Sequence, residues 1–166
     1  MKRSEVKTLA LMAMYCAIFV VLDRVSDLVH LFELPNGGKL NLGPIALLMC
    51  SYHLGYKKGS LVAFVSVFLQ LAIGSVKWYG PTSFILDYLV SYTVYGLAEL
   101  FPNFGFFYSG IVFTSILRLL SSTVSGMLNW QTPFFASLVY NASYIVPTTI
   151  CALIVVPLLA KRLFKK

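Results

Sequence analysis

The chain has 166 residues, of which 58% are hydrophobic and 11% charged, and its 13 Lys and Arg against 6 Asp and Glu give a formal net charge of +7. With a mean hydropathy of +0.81, it lies far from the roughly 45 to 50% apolar and 25% charged usage of soluble domains, which excludes a soluble fold. The positive charge does not read as a nucleic-acid footprint, because the basic residues gather at the ends of apolar runs, where bilayer topology puts them.

A helix needs about 20 predominantly apolar residues to cross a bilayer, and six such stretches leave little chain for loops. The expected fold class is an all-α integral membrane protein, a six-transmembrane-helix bundle forming one membrane domain over residues 1–166. Its spans are expected at about 7–25, 42–54, 59–76, 82–101, 106–128 and 134–159. Lys2, Arg3 and Lys7 precede the first span, Lys57 and Lys58 separate the second from the third, and Lys161, Arg162, Lys165 and Lys166 close the chain. The positive-inside rule makes both termini cytoplasmic, which six spans satisfy. Asp23, Asp27 and Glu33, with only Arg24, Lys39 and Lys77, then face outward. The N-terminal pattern also resembles a signal peptide, but no small-residue cleavage site follows, so it reads as a retained span. Cys16, Cys50 and Cys151 are odd in number and sit in apolar segments, which implies no disulfide framework.

In the first span, Ala13 and Ala17 form a small-x-x-x-small pair that lets another helix approach closely, either inside the bundle or from a partner protein. The next connection, 26–40, contains Pro35, Asn36, Gly37, Gly38 and Lys39, turn-forming chemistry suited to a lid or to a plain solvent loop. The second span is short, with Gly43 and Pro44 at its start, and the third has Gln70 as its one strongly polar residue. Trp78 and Tyr79 fall at the outer boundary, where amphipathic rings anchor.

The fourth span opens after Pro81, a residue suited to a first helical turn, and places Asp87 and Tyr88 one to two turns inside its outer end. The fifth runs the other way and brings Arg118 to the same outer half. A lone charge at a helix centre costs roughly 2.5 to 3.5 kcal/mol on insertion scales, so such residues face a partner, a cavity or a ligand. An Asp87–Arg118 contact, direct or through a bound molecule, lowers the cost of both. The sixth span carries Asn141 and Tyr144 near its outer end and Pro147 as an expected kink. Glu99, near the inner end of the fourth span, reads as structural.

The outer third of the last three spans thus gathers Asp87, Tyr88, Arg118, Ser122, Trp130, Asn141 and Tyr144. Aromatic faces with one carboxylate suit a flat organic cation, and Asn adds a paired donor and acceptor. His30 and His53 lie near opposite boundaries, so neither a Ser-His-Asp unit nor a metal centre assembles from them. With no phosphate-binding loop or dinucleotide glycine fingerprint, the chain is not expected to be an enzyme.

The segments "LPNGGKLNLGPIALL", "LQLAIG", "FILDYLVSYTVYGLAEL", "ILRLLSSTVSGMLNW" and "SLVYNASYIVP" occur in this order. Together they resemble the thiamine-specific substrate-binding (S) components of energy-coupling factor (ECF) vitamin transporters, over nearly the full length. The resemblance implies a multi-pass protein of a prokaryotic cell membrane that needs no cofactor. It captures a vitamin from outside and delivers it with a transmembrane coupling protein and two ATPase subunits.

It further implies that Ala13 and Ala17 dock on the coupling protein and that Asn36, Gly37, Gly38 and Lys39 form an occluding lid. Asp87 matches the acidic residue facing the cationic thiazolium, with Tyr88 beside it, and Arg118 a basic residue one helical turn below the pocket. Trp130 matches a stacking aromatic, and Asn141 an amide on the aminopyrimidine. Ser122 stands where the family has His and Ala136 where it has Tyr, so the implied ligand is thiamine or a thiamine-related compound. Another water-soluble vitamin, and a structural or regulatory membrane protein in which Asp87 and Arg118 pair to hold two helices together, are the alternatives.

Overall fold

A computed structural model of the protein describes residues 3–29, 33–34 and 37–163. Asn36 of the expected lid, together with Pro35, His30, Lys2, Lys165 and Lys166, lies outside the described residues. Among the described residues six helical rods follow one another: α1 (Arg3–Leu28), α2 (Gly43–Leu54), α3 (Tyr56–Ala72), α4 (81–100), α5 (Ser109–Trp130) and α6 (Phe134–Leu163). Between α4 and α5 a small hairpin pairs β1 (Asn103–Phe104) with β2 (Phe107–Tyr108), turning at Gly105 with φ 64°. The fifth helix therefore starts at Ser109, after the expected position near 106. The last helix continues through both Pro147 and Pro157 to Leu163.

Helices α1, α5 and α6 are each long and apolar enough to cross a membrane, and the protein is a mostly helical integral membrane protein. Helix α2 has 12 residues, about 18 Å at the α-helical rise, too short for a hydrocarbon core of about 30 Å. Its neighbours enclose it instead, with every residue from Gly43 to Ser51 buried. The apolar core forms around it from Phe19, Leu47, Leu48, Val62, Val67 and Val156.

Helix α1 shows how the bundle divides its faces. Tyr15, Phe19, Asp23 and Ser26 are buried, a stripe at helical spacing, while Val6, Leu9, Met14, Ile18, Val21 and Val25 are exposed, as suits a lipid-facing side. Ala13 and Ala17 fall on the exposed side, so their close-approach face is not used within the bundle.

Helix α4 departs from the expected plain α-helix. It runs as α over Pro81–Ser83, π over Phe84–Val90, α over Ser91–Thr93 and 3-10 over Val94–Leu100. The wide π turn has a local cause, because the Leu86 carbonyl accepts hydroxyl hydrogen bonds from Ser91 and from Ser121 on α5, both at 2.7 Å. Side-chain donors thereby stand in for backbone N–H groups that a regular helix would aim there. Such π segments are frequent at functional sites, and this one carries Asp87 and Tyr88.

The bundle has two distinct ends. At one, Tyr15 bonds His53 (2.9 Å), the Tyr56 amide donates to Glu99 (3.3 Å), and Lys161 sits over the Phe106 ring. This end holds Lys57, Lys58 and Arg162. The other holds Glu33, Gly37, Gly38, Lys39, Tyr79 and Trp130.

Candidate functional site

A cavity of about 350 Å³ opens at this second end, within the range of small-molecule sites. Asp87, Tyr88, Arg118, Ser122, Trp130, Asn141 and Tyr144 all line it, as do Gly37, Gly38 and Lys39 from the expected lid. Three helices supply the walls, and a tight junction aligns two of them. Gln131, in the left-handed region at φ 50°, ends α5, and α6 begins at Phe134. Trp130 and Asn141 are thereby brought to one hollow.

The Asp87 carboxylate is fixed by hydroxyls. Its Oδ2 accepts from Ser83 (2.8 Å), one turn earlier on α4, and from Ser125 on α5 (2.5 Å). An ionised carboxylate offers about four acceptor sites, so capacity remains for a ligand. Asn129 donates to Ser125 Oγ at 3.0 Å, orienting that hydroxyl from behind.

Arg118 is buried but does not touch Asp87. Its Nη1 donates to the Tyr95 hydroxyl at 3.3 Å, and its guanidinium carbon lies 4.9 Å above the Tyr92 ring. Among the described residues no direct Asp87–Arg118 ion pair forms, and of the two contacts expected from the sequence only one through a bound molecule remains open. Tyr92 in turn belongs to a column of stacked rings, Phe84–Tyr88 at 6.2 Å and Tyr88–Tyr92 at 6.3 Å, which makes one wall of the cavity aromatic.

The opposite wall is a hydrogen-bonded chain. Asn141 donates to the carbonyls of Ser122 (3.2 Å) and Ser137 (2.9 Å) and accepts from the Tyr144 hydroxyl at 2.6 Å. Ser122 shares a hydrogen bond with Ser91 at 3.2 Å. Ser122 and Ala136, the two small residues, both line the cavity.

Glu33 and the 37–39 segment are tied down by charge and by shape. Lys39 Nζ pairs with Asp27 and lies 3.4 Å from buried Asp23, while Lys77 pairs with Glu33 at 3.1 Å. Burial works against the Lys39 ammonium, but the fields of Tyr92 and Asp23 and the bond to Asp27 outweigh it and raise its pKa above the usual lysine value. Gly38 donates its amide to the Tyr140 hydroxyl at 3.1 Å. A Cβ on Gly38 would lie 2.7 Å from Cδ1 of the Tyr144 ring, so only glycine lets the backbone rest on that ring.

Several cavity residues were not singled out as site residues from the sequence. Tyr79, expected only as a boundary anchor, lines the cavity edge-on to Trp130, with centroids 4.9 Å apart. Ser83 and Tyr140 carried a faint signal, each lying one helical turn before a selected residue, at Asp87 and Tyr144. Gln70 and Asn41 had no partner legible in the sequence, since other helices bring them to the cavity. Among the described residues no cluster of His, Cys, Asp and Glu could hold a metal.

The profile of the thiamine transporter protein family (Thia_YuaJ) matches residues 9–166. The thiamine transporter ThiT of Bacillus subtilis (strain 168) is 29% identical over an alignment 177 positions long, which covers 92% of this chain and 91% of that protein. A solved structure of ThiT from Listeria monocytogenes superposes with a TM-score of 0.76 at 17% identity, covering 96% of this chain and 97% of that one, a likeness of fold. The chain belongs to the thiamine transporter protein family, the ThiT/YuaJ-like S components.

Proposed function

We propose that this protein is the high-affinity substrate-binding component of an ECF-type vitamin importer in a prokaryotic plasma membrane, taking up thiamine or a thiamine-related compound. The observation that carries the reading is the cavity itself, in which one hydroxyl-braced carboxylate, Asp87, faces a hollow walled by Tyr88, Trp130 and Tyr144. A carboxylate with aromatic faces stabilises a flat cation by direct charge and by ring quadrupoles. Asn141 and Tyr144 orient the ligand's polar edge, and Ser122 and Ala136 leave room beside it.

The described basic residues Lys57, Lys58, Lys161 and Arg162 occupy the end away from the cavity. By the positive-inside rule that end is cytoplasmic, so both termini face the cytoplasm and the cavity opens outward. The 37–39 segment closes over the captured ligand. The exposed Ala13 and Ala17 on α1 form the docking face for a transmembrane coupling protein, whose two ATPase subunits supply the energy. The chain itself contributes binding and no hydrolysis.

The test is direct. Protein purified in detergent is denatured, and whatever it releases is identified by mass; emptied protein is then titrated with thiamine. Co-purified thiamine or a relative, or saturable binding at one ligand per chain, supports the reading. An empty preparation that also ignores thiamine overturns it.

A further inference from the structure

A second hollow, of about 180 Å³, is an apolar groove on the outside of the bundle between α5 and α6. Ile116 on one side and Val146 and Ile150 on the other stand exposed along it, over a floor that includes buried Ser115 and Ile145. Thr149 also lines the groove but donates its hydroxyl to the Ile145 carbonyl at 2.7 Å. The surface on offer is hydrocarbon.

Depth assigns the groove to one leaflet. On α5 it runs from Val112 to Leu119, beginning within a turn of the helix start at Ser109. At a rise of 1.5 Å per residue this is about 4 to 15 Å along the helix, from just inside one boundary to the middle of a hydrocarbon core of about 30 Å. On the unbroken α6 helix, Lys161 stands about three turns beyond Ile150, so the two share a face. Its ammonium lies 3.0 Å from the centroid of Phe106, on the hairpin just ahead of α5, where Phe104 and Phe107 are exposed as well. The ring takes one side of the ammonium, and among the described residues no carboxylate pairs with it. An ammonium has three donors, so hydrogen-bonding capacity remains.

We propose that the groove and Lys161 together hold one anionic phospholipid of the leaflet at the basic end, with an acyl chain along α5 and α6 and the phosphate on the Lys161 ammonium. Charge selects the headgroup. The described carboxylates of this end are Glu5 and Glu99, the second of which accepts the Tyr56 amide at 3.3 Å. Against them stand Arg3, Lys7, Lys57, Lys58, Lys161 and Arg162. This surplus attracts a headgroup with net negative charge and repels the cationic half of a zwitterionic one. The exposed phenylalanines of the hairpin suit the boundary depth at which that headgroup lies. The inference is independent of what the cavity at the other end binds.

The experiment mixes delipidated protein in detergent with dioleoyl phosphatidylglycerol or dioleoyl phosphatidylcholine and counts the lipid that stays bound by native mass spectrometry. The wild type is expected to retain one phosphatidylglycerol per chain, with a preference of about fivefold over phosphatidylcholine. Lys161→Gln is expected to bring that ratio close to one. Ile150→Trp, which fills the groove, is expected to lower retention of both lipids, and Ile116→Trp does the same from the facing helix should the first variant fail to fold. None of these residues lines the cavity at the other end, and an unchanged melting temperature without lipid reports that each variant is folded. Equal retention of the two lipids by the wild type overturns the site, as does a preference that survives Lys161→Gln or a retention that survives filling of the groove.

Discussion

Ser125 on α5 donates to the same Asp87 oxygen that Ser83 holds from α4, at 2.5 and 2.8 Å. The carboxylate is therefore positioned before any ligand arrives, which limits the reorganisation that binding requires. Its charge is the part a cation reads. Replacing Asp87 by Asn keeps the shape and removes the charge, and is expected to weaken thiamine binding by about 1.5 to 3 kcal/mol, the range for hydrogen bonds to charged groups. Titration calorimetry measures it, and unchanged affinity would take Asp87 out of the site.

Gly38 makes the proposed lid sensitive to a single methyl group. Its Cβ position lies 2.7 Å from Tyr144 Cδ1 and 3.1 Å from the Tyr140 hydroxyl, so Gly38→Ala must lift the lid or turn a ring. Overpacking of this kind costs about 1 to 3 kcal/mol. The expected outcome is faster thiamine release in stopped-flow fluorescence with little loss of thermal stability, because the backbones of α1 to α6 keep their packing. A dissociation rate equal to wild type would show that 37–39 does not close over the ligand.

Lys39 neutralises a carboxylate that has no access to water. Asp23 is 0% exposed and, among the described residues, its Oδ2 has no partner, so Lys39→Met leaves a buried carboxylate held, among those residues, by Asn41 at 2.7 Å. Removing one member of a buried pair costs about 3 to 5 kcal/mol, and thermal unfolding in detergent should register it, with Asp23→Asn restoring much of the loss. Since the folded pKa of Lys39 is raised, the contribution is fully present below the unfolded lysine value and is lost as pH rises through the folded one. Stability from this contact is accordingly flat across neutral pH and falls only in strong alkali.

Ala13 lies on the exposed side of α1, away from the stripe of Tyr15, Phe19 and Asp23 that packs inward. Ala13→Leu adds bulk only to a surface that another helix is proposed to approach closely. Whole-cell thiamine uptake should fall to background while the purified variant binds as tightly as wild type. Normal uptake would remove this face from the docking interface, and loss of binding as well would indicate a packing defect.

Much of this molecule was legible because charge and amide groups stand out against lipid-soluble sequence. Asp87, Arg118 and Asn141 drew attention as polar groups at membrane depth, and all three reach one cavity. The π turn of α4 was not legible, since "FILDYLV" has the composition of an ordinary helix and its wide turn depends on Ser121, a residue of another helix. Tyr79 was hidden for a related reason: a boundary aromatic is ordinary by composition, and only the tertiary arrangement turns it against Trp130. Hydropathy also gave no sign that α2 would be enclosed by its neighbours, because burial in protein and burial in lipid favour the same residues.

The hollow between Asp87 and Trp130 is proposed to receive the cation, and the chain's two tryptophans make this testable. Trp78 is 57% exposed and packs on Phe84, with centroids 5.4 Å apart, whereas Trp130 lines the cavity. In Trp78→Phe protein, where Trp130 is the sole indole, added thiamine is expected to quench fluorescence saturably at one ligand per chain, with Asp87→Asn shifting the titration to higher concentration. Binding detected by calorimetry without any change at Trp130 would contradict the account.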